Sequence, residues 1–166
     1  MVQPNAYLLP KKIVDIIGSW NIEISPSPDE DGEYFARALL VADQVIYTEG
    51  LNYYRKVQNQ KSLSQIHSPQ RAINLLKTVE LKFQHIFKIE RNLLIEKLFQ
   101  LNISQVAYQY GVDFPSILND AKNSLKESSF KSLRIDAPIL FASVSKIFGF
   151  KMALLFKRYF YNFRWK

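Results

Sequence analysis

The sequence predicts an all-α protein, a single-domain helical bundle built on a long αα-hairpin, and three observations predict it. Between Ser68 and Leu101 the apolar residues Ile73, Leu76, Val79, Phe83, Ile86, Leu94, Leu98 and Leu101 recur at steps of three and four, weak only in the turn around Glu90. Between Glu33 and about Gln60, Phe35, Leu39, Ala42, Ile46, Tyr53 and Val57 keep the same period, with Gly50 as a weak point. Only Trp20 to Ile24 alternates as a strand would, and there is no second run of that kind to pair with it.

The length of 166 residues and a hydrophobic content of 48% suit one domain with a real core. Cysteine is absent, which excludes disulfides, thiolate metal sites and a cysteine nucleophile. The first nine residues lack the charged and apolar regions of a secretory signal, so a cytoplasmic location is expected. The net charge of +7 is uneven: residues 1–60 hold five Lys/Arg against eight Asp/Glu, whereas residues 61–166 hold seventeen against seven. Eight of those seventeen follow Phe130, against the single acid Asp136, so the C-terminal end is the positive pole. Such asymmetry points to an anionic partner, whether nucleic acid, an acidic membrane surface or an acidic protein face.

Taken in order, residues 1–32 are expected to form a short helix and a loop. Ile13, Val14, Ile16 and Ile17 follow Leu8-Leu9-Pro10, and Gly18 is placed as a left-handed stop. Trp20 to Ile24 reads as extended coil packed by Trp20, and Ser25 to Gly32 as a loop set by Pro26 and Pro28. Asp29, Asp31 and Glu33 invite a calcium loop, but the template needs glycine where Tyr34 stands and glutamate where Leu40 stands. They read instead as the acidic first turn of the helix that follows.

Residues 33–101 form the expected long hairpin, with Lys61 to His67 as its polar connection. Ser68 and Pro69 start the second arm: the serine hydroxyl can accept from an orphan amide, and proline at the first helical position gives up no bonded N–H.

Residues 102–128 resemble a helix-turn-helix. The resemblance rests on Ala107 at the helix crossing, Gly111 at the turn four residues on, and Val106, Tyr110, Val112 and Ile117 facing inward. The turn is expected to require positive φ at Gly111, and an N-capped helix is expected from Asp113 to about Glu127. The positions that would face a DNA groove, Asp113, Phe114, Pro115, Leu118, Asn119 and Lys122, offer one cation and one amide. That is poor equipment for reading base edges, so the corner is expected to be structural.

After the basic, serine-rich stretch from Ser128 to Ile135, Asp136-Ala137-Pro138 is expected to start the last helix, within residues 136–166. Residues 139–156 are apolar almost all round, which calls for burial on more than one side. Lys146 and Lys151 make a membrane span unfavourable, so no integral span is expected, although peripheral membrane contact fits.

The closing run interleaves cations with aromatics. Lys157, Arg158, Tyr159, Tyr161, Arg164, Trp165 and Lys166 are the candidate residues for binding nucleic acid or another anion, since cations follow phosphates and aromatic faces stack on bases. Phe148, Phe156 and Phe160 are the candidate interface for a protein partner or a second copy of the chain. His67 and His85 have no second ligand at helical spacing, there is no Glu-x-x-His pattern to hold a metal, and no glycine-rich loop to cradle phosphate. No catalytic residue, metal or cofactor is therefore expected. The expectation is a non-enzymatic binding module for an anionic partner, nucleic acid ahead of the alternative of a protein-interaction adaptor.

Overall fold

The chain is all-α. A computed structural model describes residues 6–51, 53, 67–135 and 139–164, with the backbone alone at 139 and 160–164. Among the described residues seven helices follow in order: α1 (Lys11–Ile17), α2 (Glu30–Val41), α3 (Pro69–Ile89), α4 (Leu93–Tyr110), α5 (Ser116–Ser124), α6 (Ile139–Phe148) and α7 (Phe150–Arg164). There is no strand among the described residues. The chain divides into two compact units, Met1–Ile86 and Phe87–Lys166.

In the first unit α1 packs on α2 and ends at Gly18, whose φ of 74° only glycine adopts without strain. Trp20 stacks on Tyr34 with ring centroids 4.8 Å apart, as Tyr7 does on Phe35 at 4.1 Å. Ile22–Ile24 is a single 3-10 turn rather than extended coil: the Asn21 side chain accepts from the Glu23 amide at 3.0 Å, which starts the turn and buries Ile24.

The long second helix is shorter than its periodicity suggests. It runs from Glu30 to Val41 and stops where Ala42 turns extended, φ −79° and ψ 132°. Beyond it Val45, Ile46, Tyr47 and Leu51 are exposed, so no packed face supports further turns, and β-branched residues with Gly50 are poor helix formers on their own. Positions 54–60 of that expected arm, and the connection 61–66, lie outside the described residues.

The stretch from Ser68 to Leu101 is two helices, not one. Its start is as expected: the Ser68 hydroxyl accepts from the Arg71 amide at 3.3 Å, and Ala72, Leu76, Val79 and Phe83 are buried. It breaks at Glu90–Asn92, where the Asn92 side chain accepts from the Ile95 amide at 2.9 Å and caps a new helix. The break resets the register. Leu94 and Leu98 become exposed, and α4 buries Phe99, Ile103, Val106, Ala107 and Tyr110 instead.

In the second unit the corner after α4 exists. Ala107 and Ile117 are fully buried, Val106 and Tyr110 nearly so, and Val112 half-buried. Two details differ from expectation. The helix spans Ser116–Ser124 without a side-chain cap, its first residues held by a turn in which Phe114 N–H donates to the Tyr110 carbonyl at 2.8 Å. Gly111 is also right-handed, φ −67° and ψ −16°, so its role is not positive φ. A Cβ there would meet the Ala107 carbonyl oxygen at 2.4 Å and Leu118 Cδ2 at 2.6 Å, so glycine is needed for close approach. Leu118, counted from sequence among the groove-facing positions, is buried against this turn. Gly111→Ala, ordinarily neutral or stabilising in this backbone conformation, is expected to destabilise the unit by about 2 kcal/mol through overpacking. A urea titration checks it, and a midpoint at or above wild type would show that the corner can relax.

The last helix is likewise two. Gly149, φ 85°, separates α6 from α7, and the two pack together through Phe141 and Phe150, edge to face at 5.6 Å. The expected start at 136–138 lies outside the described residues.

Candidate functional site

The α6–α7 hairpin is built on Tyr108 of α4. Phe141 meets the Tyr108 ring edge to face at 5.0 Å, and Lys157 Nζ stands 3.3 Å from the centre of the same ring. Phe141, Phe150, Ala153 and Leu154 are buried. The spacing 150, 153, 154 and 157 is one face of a helix, and it is the face α7 turns inward.

Other parts of both helices are not covered. On α6, Leu140 and Ile147, seven residues apart, are 58% and 72% exposed, and Phe148 beside them is 66% exposed. On α7, Met152 and Leu155 are about half exposed. Lys146, Lys151 and Arg158 are exposed with them, Lys151, Leu155 and Arg158 at positions i, i+4 and i+7 of one stripe. Residues 137–166 contain six Lys/Arg and no Asp/Glu, so nothing in this segment neutralises the stripe. The expectation that residues 139–156 are buried on more than one side is therefore corrected: dividing the segment at Gly149 lets each half bury one face and leaves the other in water.

The candidate anion-binding residues fall into two groups. Lys157 is half-buried over Tyr108, whereas Arg158 and Tyr159 are exposed on α7. Tyr161 and Arg164 belong to α7, but their side chains lie outside the described residues, as does that of Phe160, and Trp165 and Lys166 lie outside them altogether. Of the candidate partner-binding residues, Phe148 and Phe156 are exposed. Sequence reasoning missed Tyr108 and the pair Lys146 and Lys151 as parts of this surface. The acid-free run of thirty residues carried the signal for the two lysines. Nothing local marked Tyr108, which a tertiary contact selects.

A polar ladder on α4 holds the chain that leads to the hairpin. Glu96, Gln100 and Ser104, four residues apart and all buried, each bind backbone of the segment 129–134. Glu96 Oε2 accepts from the Ser129 amide at 2.7 Å, Gln100 Nε2 donates to the Ser132 carbonyl at 2.6 Å, and Ser104 Oγ accepts from the Arg134 amide at 2.9 Å. Arg91 closes the upper end, its Nε 2.7 Å from Glu96 Oε1 and its Nη2 donating to the Glu127 carbonyl at 3.0 Å. The Ser129 hydroxyl first, then Arg91 and the Ser129 amide, hold the Glu96 carboxyl well below its ordinary value, at about 2.

The first unit has a second polar cluster. Glu33, 2% exposed, receives Arg37 Nε at 2.8 Å and Nη2 at 3.1 Å, and its Oε1 lies 3.2 Å from His85 Nε2. Arg37 also donates to the carbonyls of Ile17 and Ser19, closing the end of α1, and Lys82 pairs with Asp29. Of the acids that invited a calcium reading, Asp29 and Glu33 are thus matched by cations, and Asp31 accepts from the Gly32 amide at 3.0 Å. No group of three or more His, Asp or Glu converges to hold a metal among the described residues.

Comparison of the chain with protein-family models, with curated proteins and with solved structures finds no match in any of the three.

Proposed function

We propose that this chain is a non-enzymatic binding module that holds an anionic, phosphate-bearing partner on the α6–α7 hairpin and the basic aromatic run that ends it. One observation carries the reading: Lys146, Lys151 and Arg158 stand exposed in a thirty-residue segment that has no acid. Phosphate oxygens of nucleic acid or of a lipid headgroup satisfy such cations equally well. The buried carboxylates, by contrast, are spent on internal cations and backbone amides, which suits a scaffold rather than acid–base chemistry.

The test is binding of the full chain to immobilised heparin and to a labelled single-stranded oligonucleotide across a salt series. Polyanion binding is expected to weaken steeply with salt, and neutralising Lys151 and Arg158 together to lower the logarithmic salt slope by about one to two. No retention at low salt would overturn the reading. The exposure of Phe148 and Phe156 supports a second reading, a protein partner or a second copy seated there, for which self-association would persist at high salt.

A further inference from the structure

The composition of the uncovered stripes separates the phosphate-bearing partners. A single-stranded nucleic acid rewards flat aromatic faces on which bases stack. Beside the aromatic Phe148, Phe156 and Tyr159, the hairpin exposes four aliphatic side chains, Leu140, Ile147, Met152 and Leu155. Aliphatic side chains gain nothing from bases and phosphates, but they gain about 25 cal/mol for each Å² removed from water into acyl chains.

The helices are also the wrong length to cross a bilayer. α6 has 10 residues and α7 has 15, about 15 Å and 22 Å of helix against a hydrocarbon thickness of about 30 Å. No helix among the described residues is long and apolar enough for a span. A short helix with an apolar face bordered by Lys and Arg lies in the plane of the interface, its apolar face among the upper acyl chains and its cations at the phosphates. Phe141 of α6 and Lys157 of α7 face Tyr108 of α4, whereas Leu140, Ile147, Met152 and Leu155 lie off those faces and are exposed.

We infer that the uncovered faces of α6 and α7 dock on an anionic phospholipid surface, Ile147, Met152 and Leu155 entering the interface and Lys146, Lys151 and Arg158 pairing with lipid phosphates. The inference rests on the anionic-partner reading above and names its partner. The absence of acids from the stripe is the charge complementarity it requires, since an Asp or Glu at the surface would be repelled by the same lipids.

The test is co-sedimentation of the full chain with vesicles of mixed phosphatidylglycerol and phosphatidylcholine, and with phosphatidylcholine alone, beside the oligonucleotide at the same salt. Partitioning into the mixed vesicles is expected to exceed that into neutral ones by at least about tenfold, and each cation changed to glutamine to weaken it about fivefold. Ile147→Glu and Leu155→Glu are each expected to weaken it about tenfold with unchanged far-UV circular dichroism and melting, because both side chains are exposed. Should either glutamate variant melt early, Lys146→Gln and Lys151→Gln carry the test in its place. Equal binding to neutral vesicles, or binding indifferent to these variants, overturns the inference. Oligonucleotide binding without vesicle binding overturns it while the anionic-partner reading stands, and binding to neither removes both.

Discussion

Arg37→Met is expected to lower the stability of the first unit by about 3 kcal/mol, the cost of leaving a buried carboxylate without its main partner. The side chain has three tasks that methionine cannot take over. It neutralises Glu33 through two nitrogens, and it satisfies the carbonyls of Ile17 and Ser19 at the end of α1. It also lies over the Tyr34 ring, 5.3 Å from its centre, within the aromatic group that includes Trp20 and Phe35. Among the described residues Glu33 would keep only His85, which is a charged partner only when protonated. For a unit of this size the loss corresponds to a melting temperature lower by roughly 10–20 °C. The variant Glu33→Gln combined with Arg37→Met is expected to recover part of the loss, since no charge is then stranded, and the double-mutant cycle measures the coupling. A single variant that melts with the wild type would mean that solvent reaches Glu33 and that the pair contributes little.

Glu96→Gln is expected to cost about 2 kcal/mol at neutral pH, the loss of charge-assisted bonds to Ser129 and Arg91 in a buried setting. Its pH dependence is the sharper signature. The carboxyl lies at about 2 in the folded chain against an ordinary value of 4.5, so the folded state binds its proton less readily than the unfolded one. The stabilisation is therefore complete above about pH 4.5 and is lost as pH falls through about 2. Denaturant midpoints of wild type and Glu96→Gln should differ at pH 7 and converge only as pH approaches about 2. A gap that stays constant across that range would assign the effect to shape rather than to charge. Because Glu96 is one rung of the ladder with Gln100 and Ser104, the loss should also loosen residues 127–134, read as faster amide exchange at Ser129.

Helix class, composition and several helix ends were legible in the sequence because they depend on neighbours within a few residues. The serine cap at Ser68, the stop at Gly18 and the corner through Ala107 and Gly111 all follow from local chemistry. The lengths of helices were not. The period through Glu90 ran on in the sequence, yet Asn92 caps a new helix there and α4 buries a different face. The period after Val41 ran on as well, but exposed side chains there give the helix nothing to pack on.

The same division holds for the candidate site. The sequence by itself determined an all-α chain with a cationic, acid-free, apolar C-terminal segment, since charge and hydropathy are properties of composition. Only the tertiary structure decided that Gly149 would divide that segment and that Tyr108 would engage Phe141 and Lys157. It likewise decided that Lys146, Lys151 and Arg158 would stand among exposed aliphatic residues. The physical reason is that helical periodicity fixes which residues share a face, whereas burial depends on which other element covers that face. Glu33 and His85, or Glu96 and Ser129, meet across dozens of residues of chain, and no local pattern records those pairings.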